Sequence, residues 1–184
     1  GPPFSGQERA CSVRPMPDTL SSNITDVIEL TRTLVRCESV TPREAGALQL
    51  LEQTLAPLGF ACERMDFTEA GTDDVANLYA RVGSGGRHFC FAGHSDVVPV
   101  EGQTWTSDPW VVTERDGRLY GRGTCDMKGF IAAAVALAPV YAQKAIARPI
   151  HFAVTHDEEI GCLGAQALAP LLQARGVKPR VAII

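Results

Sequence analysis

The sequence predicts an α/β fold, a mixed, mainly parallel sheet flanked by helices on both faces, and two observations carry that prediction. Segments with helical spacing of apolar residues are interspersed among short alternating or continuous apolar runs, the pattern of a sheet covered on both sides. The 184 residues, 45% hydrophobic and 21% charged, suffice for one well-buried core, so a single domain is expected.

Each element has its own signal. Residues 1–20, GPPFSGQERACSVRPMPDTL, are rich in Pro, Gly and Ser without period and read as a disordered leader or partly a cloning remnant, leaving 21–184 for the fold. Ile24, Val27, Ile28, Leu34 and Val35 share a helical face. Thr41-Pro42-Arg43-Glu44 reads as a capping box with proline at the first helical position, opening a helix through Leu48, Leu51, Leu55 and Leu58 that Gly59 stops. Strands are expected at about 60–67, 76–82 and 87–93, and WVVTERDGRLYG reads as a hairpin turning at Asp116-Gly117. The small-residue stretch MKGFIAAAVALAPVYAQ is a helix that returns the chain to a strand at about 149–155. A further helix near 164–175 feeds a last apolar strand, RVAII.

Charge and composition exclude several classes. Lys and Arg number 17 against 21 acids, a formal charge of -4, with no basic run or interleaved aromatics to track a phosphate backbone, so nucleic acid is not an expected partner. No apolar segment reaches the roughly 18 residues of a membrane span, and the N-terminus lacks the basic-then-apolar order of a signal peptide; a cytoplasmic protein without a membrane partner is expected. The six cysteines, at 11, 37, 62, 90, 125 and 162, form no close pair and read as buried reduced thiols. The sequon Asn23-Ile24-Thr25 reads as chance.

Three segments carry chemistry. In FAGHSDVVPV a strand ends at His94, and period-two geometry points His94 and Asp96 to the same side, where the carboxylate can orient an imidazole that binds a metal. His88, His151 and His156 read as core histidines. In YGRGTCDMKG, Gly121, Gly123 and Gly129 flank Asp126 between the hairpin and a helix; the acid is either an N-cap or a ligand. No phosphate-loop spacing fits these glycines and Lys128, so no nucleotide site is expected. HFAVTHDEEIG sets Asp157, Glu158 and Glu159 side by side, a clustering of like charge that costs stability unless a cation sits among it. On an extended strand adjacent residues face opposite ways, so one glutamate can bind the cation while its neighbour faces substrate and water. His, Asp and Glu form the ligand set of a zinc or similar divalent site, and a free carboxylate there is a general base.

In this order GHSDVVPV, WTSDPW, DGRLYGRGTCDMKGFIAA and HDEEIGCLGA resemble the signature blocks of the acetylornithine deacetylase and succinyl-diaminopimelate desuccinylase family of zinc metallopeptidases. TCDMKGF and DEEIGCLG are most similar to the deacetylase, whereas SVTPREAGALQLLEQTLAPLGFACERMDF and NLYARVGSGG look more like the desuccinylase. The resemblance implies a zinc-dependent exopeptidase-like catalytic domain that removes an acyl group from a small N-acyl amino acid. Its principal reading is an acetylornithine deacetylase of arginine biosynthesis, with a desuccinylase or related aminoacylase or peptidase as the alternative. It implies zinc, replaceable by cobalt or manganese, with two ions in a complete site. His94 would bind one ion, Asp126 bridge both and Glu159 bind the second. Glu158 and Asp96 would be the catalytic pair, Glu158 as general acid and base and Asp96 orienting His94. Asp126-Met127 would be a cis peptide, and complete members would be homodimers.

Family members continue beyond a strand like RVAII with a Gly-Glu-Pro block supplying another ligand, then a lid and dimerisation domain, then a last His ligand. The chain is therefore expected to be the N-terminal part of such a catalytic domain, without the lid. A non-catalytic metal-binding fragment is the competing reading. A thiol-redox protein rests on the six cysteines alone and lacks any Cys-x-x-Cys.

Overall fold

The computed structural model describes residues 11–12, 26–68, 74–85, 88–143 and 148–184. The readings of Ile24, of the sequon and of most of residues 1–20 lie outside them. Within 1–20, Cys11–Ser12 forms a short strand, β1, paired antiparallel with Arg118 and Leu119.

Helix α1 (Val27–Arg36) begins where the Asp26 carboxylate accepts from the free N–H groups of Ile28 and Glu29 at 2.8 and 3.2 Å. It buries Leu30, Leu34 and Val35. Helix α2 (Ala47–Leu55) starts later than the capping box places it. Thr41 is engaged elsewhere, donating its hydroxyl to Asp157, and Glu44 caps α2 alone: its carboxylate accepts from the N–H groups of Gly46, Leu48 and Gln49. The buried Leu48, Leu51 and Leu55 lock α2 to the sheet, each contributing about 1.5–3 kcal/mol by leaving water. A 3-10 turn, Ala56–Leu58, ends at Gly59, whose φ of 90° is the left-handed conformation glycine adopts without penalty.

The chain then runs through β2 (Ala61–Phe67), β3 (Val75–Val82) and β4 (His88–His94), and through the hairpin β5 (Thr113–Arg115) and β6 (Arg118–Tyr120). Positive φ at both Asp116 and Gly117 gives that hairpin its tight turn. The small-residue helix is two helices, α3 (Lys128–Ala136) and α4 (Ala138–Gln143), broken around Leu137 because Pro139 has no N–H to continue the ladder. Strand β7 (Ile150–Thr155), helix α5 (Leu163–Ala174) and strand β8 (Pro179–Ile183) complete the chain.

The five-stranded sheet has the order β2-β3-β7-β4-β8 and is mixed, as expected. Its pairings divide evenly instead of being mainly parallel: β2 with β3 and β3 with β7 are antiparallel, β7 with β4 and β4 with β8 parallel. The short 68–74 connection returns β3 alongside β2, which only an antiparallel pair permits. Helices cover both faces. Leu78, Ala80, Phe152 and Val154 pack with residues of α1, α2 and α3 on one side, and Met65, Tyr79, Cys90 and Ala153 pack with Leu168 of α5 on the other. The strands β4 and β7 are parallel neighbours, with His94 opposite Thr155, so the loops leaving their carboxyl ends emerge side by side.

Candidate metal centre

All five residues singled out in the sequence meet where those loops emerge. His94 is the last residue of β4 and is buried. Its Nδ1 lies 3.0 Å from the Asp96 carbonyl and 3.5 Å from the Asp96 carboxylate, so both the backbone and the side chain of Asp96 orient the ring. Its Nε2 faces Asp126 Oδ1 at 3.1 Å and Glu158 Oε2 at 3.7 Å. Ligand atoms of His94, Glu158 and Glu159 all lie within 4.8 Å of one another.

Asp126 is not an N-cap. The residue preceding α3 is Met127, with no side-chain cap, and the Asp126 side chain stands exposed toward His94. The Asp126-Met127 peptide is cis, as the family resemblance implies. The glycines around it have distinct jobs. Gly123 adopts a φ of 83°, and a Cβ on Gly129 would lie 2.2 Å from the Thr124 carbonyl oxygen, so the backbone of α3 passes directly against the loop that presents Asp126.

The two glutamates do not sit on a strand. β7 ends at Thr155, and Asp157, at a φ of 59°, turns the chain so that Glu158 and Glu159 come off a loop with their carboxylates on the same side. Strand alternation therefore does not separate their roles. Asp96, fully buried, holds this loop as well as the imidazole, its Oδ2 accepting from the Glu159 N–H at 3.0 Å. Its contacts are thus to the imidazole and to this loop.

Burial opposes the charge on His94, but the hydrogen bond and charge of Asp96, with the charge of Glu158, outweigh it and raise the imidazole to about 9. Burial likewise works against the Asp96 anion, and the His94 hydrogen bond and the N–H groups of Glu159 and Glu158 overcome it, lowering its pKa. Glu159 is raised, by burial first and then by the negative charge of Asp126, partly offset by His94. Such an accumulation of acid around one imidazole is relieved by a divalent cation, and one nitrogen with several carboxylate oxygens is a donor set that suits zinc or a similar ion. The residues present fit that group. Beside them lies a cavity of about 500 Å³, walled largely by apolar residues that include Ala92, Met127, Ala153, Leu168 and Leu172.

Sequence reasoning missed the segment behind the site. Cys37 to Thr41, between α1 and α2, touches all three site loops through contacts that carry no local signature. The expected buried thiols are only partly realised: Cys90 is buried, Cys37 and Cys62 are half-buried, and Cys125 and Cys162 are exposed because both lie in loops flanking the site. His151 and His156 are buried core histidines, as read. No helix among the described residues is long and apolar enough to cross a membrane.

Comparison with known proteins bears on the whole arrangement. Residues 90–184 match the family model described as peptidase family M20/M25/M40. Succinyl-diaminopimelate desuccinylase of Parvibaculum lavamentivorans is 53% identical over 135 residues, which is 73% of this chain and 34% of that protein. The enzyme of the same name from Rhodospirillum centenum is 50% identical over 137 residues, 73% of this chain and 36% of its own length. The chain thus spans little more than a third of these curated relatives. Among solved structures, human carnosine dipeptidase 1 superposes with a TM-score of 0.72 at 28% identity, over 82% of this chain and 36% of that one. An M20 family metallo-carboxypeptidase from Sulfolobus solfataricus shares the fold with a TM-score of 0.73 at 18% identity, over 87% of this chain and 37% of its own. The names of the relatives side with the desuccinylase alternative over the acetylornithine deacetylase reading, and the expected tie to arginine biosynthesis gains no support.

Proposed function

The chain belongs to peptidase family M20/M25/M40, and from that premise we propose that it supplies part of the metal-holding half of an amidohydrolase that removes an acyl group from an N-acyl amino acid, with N-succinyl-diaminopimelate as substrate. The observation that carries this reading is the convergence of the His94, Glu158 and Glu159 ligand atoms within 4.8 Å, with Asp126 against the His94 Nε2. His94, Asp126 and Glu159 would hold the metal, zinc or a substitute such as cobalt or manganese. When bound, that ion supplies Lewis acidity that polarises an amide carbonyl and acidifies the attacking water.

The chain's own residues do the rest. Glu158, on the loop after β7 and partly exposed, takes the proton that water loses as its oxygen bonds to the amide carbon. It returns that proton to the amide nitrogen as the C–N bond breaks, releasing a carboxylate and an amine. Asp96 fixes the His94 ring and, through the Glu159 N–H, the height of the glutamate loop.

The complete protein, loaded with zinc or cobalt, should hydrolyse N-succinyl-diaminopimelate with a kcat/KM well above that for N-acetylornithine. The reverse preference restores the deacetylase reading, and no hydrolysis of either overturns both.

A further inference from the structure

We infer that the segment Cys37–Thr41 is a brace that sets the geometry of the metal centre, with the hydroxyls of Ser39 and Thr41 as positioning groups. The inference deepens the functional reading above and rests on it. The segment leaves the C-terminus of α1 and passes behind the site, reaching each of the three loops that carry it. At its start the Cys37 carbonyl accepts from Lys128 Nζ at 2.6 Å. Lys128 is fully buried, two residues beyond Asp126, and its ammonium lies at the negative end of α1, whose C-cap is Cys37. In the middle, the buried Ser39 hydroxyl donates to the Ser95 carbonyl at 2.6 Å, and the Ser39 carbonyl accepts from the Val97 N–H at 3.0 Å. Val40 and Val97 extend this as a parallel bridge. These contacts hold the backbone at Ser95 and Val97, the residues on either side of Asp96. At its end the Thr41 hydroxyl donates to the carboxylate of Asp157, which is buried and immediately precedes Glu158.

A connecting segment packed only for stability needs no such distribution of contacts. Here one short segment makes a separate polar tie to the loop of His94 and Asp96, to the helix start that follows Asp126, and to the loop of Glu158 and Glu159. Each tie ends on a buried group, so each is worth more than a surface hydrogen bond and costs more to leave unmade. None reaches the reacting atoms. Their effect on chemistry is positional, and displacements well under the size of an atom at ligand carboxylates change metal affinity and rate.

The test replaces hydroxyls while keeping shape. In the complete protein Thr41→Val removes the donor and retains the branched side chain, and Thr41→Ser restores the donor. Three measurements are made: titration of the metal-free protein with Co²⁺ for affinity, the visible absorption of the Co²⁺ form, and steady-state kinetics that separate kcat from KM. Thr41→Val should weaken Co²⁺ binding, alter the absorption and lower kcat by about 10- to 100-fold with KM nearly unchanged. Thr41→Ser should return all three close to wild type. Ser39→Ala, which cuts the second tie independently, should weaken Co²⁺ binding in the same direction and keeps the test decisive if Thr41→Val does not fold. Wild-type Co²⁺ affinity and absorption in the hydroxyl-deleted proteins, or failure of Thr41→Ser to restore them, overturns the brace. An inactive wild type that binds Co²⁺ and still responds to Thr41→Val sinks the functional reading alone.

Discussion

Asp96 does two jobs that a single hydrogen bond could not. Its carbonyl and one carboxylate oxygen address the His94 ring, and the other oxygen holds the Glu159 N–H, so one buried acid couples strand β4 to the loop after β7. The neighbouring glutamates carry the sharpest prediction at this scale. Glu158→Gln should lower amide hydrolysis by about 10² to 10⁴-fold with metal content nearly unchanged, because a general base acts only on the proton in flight. Glu159→Gln should lose metal affinity as well, because a ligand holds the ion in the ground state. Steady-state kinetics paired with metal analysis of the purified variants reads both effects. The opposite pattern exchanges the two roles, and full activity in both variants removes the pair from the mechanism. That His94 ends a strand and that Asp126 and the two glutamates lie in connections beyond strands was legible from residue type and apolar periodicity. The side to which the glutamates point was not, since a positive φ at Asp157 overrides the alternation a strand would impose.

Among the elements, one helix is capped by its own neighbour and another by a residue whose expected partner is taken elsewhere. Asp26 is a local cap, bonding N–H groups two and three residues along, and Asp26→Ala should cost about 1 kcal/mol of stability, read from the denaturant midpoint. Asp26→Asn, which keeps the acceptor, should retain most of it. The Thr41-to-Glu44 box fails for a non-local reason: Asp157, remote in sequence, claims the threonine hydroxyl, and Glu44 caps the helix from a later start. The hairpin at Asp116-Gly117 was legible because its two residues define its turn within themselves. The break between α3 and α4 follows from Pro139 and could have been read from the same local rule.

For the molecule as a whole, a buried histidine that the metal centre does not use carries the prediction for acid stability. His151 lies on β7, buried, with Nδ1 2.5 Å from the Tyr79 hydroxyl and its ring stacked on His88. Burial pushes Tyr79 up to about 12, so its hydroxyl keeps its proton at neutral pH and donates to the imidazole. Burial first, then the positive charges of His88 and Arg81, lower His151 to about 4. An unfolded histidine titrates near 6.5, so between roughly 6.5 and 4 the unfolded chain takes a proton that the folded one refuses. This group's contribution is therefore expected to be full above about pH 6.5 and to be lost as pH falls toward 4. Thermal unfolding of the wild type across that range should show the decline, and His151→Gln should flatten it; an equal slope in both would assign the acid sensitivity elsewhere.

The kinds of element, most of their bounds and the residue types that gather at the strand ends were legible before any fold was known. Apolar periodicity, turn residues and caps act over a few residues, and the acids and His94 are fixed by type at the ends of strands that this periodicity already marks. The even division of parallel and antiparallel pairings, the common side taken by Glu158 and Glu159, and the contacts of Cys37–Thr41 with the three loops became visible in the folded chain alone. Those depend on contacts between residues tens of positions apart, such as Thr41 with Asp157 and Ser39 with Ser95, which leave no periodic trace and come into being only when the sheet brings the loops together.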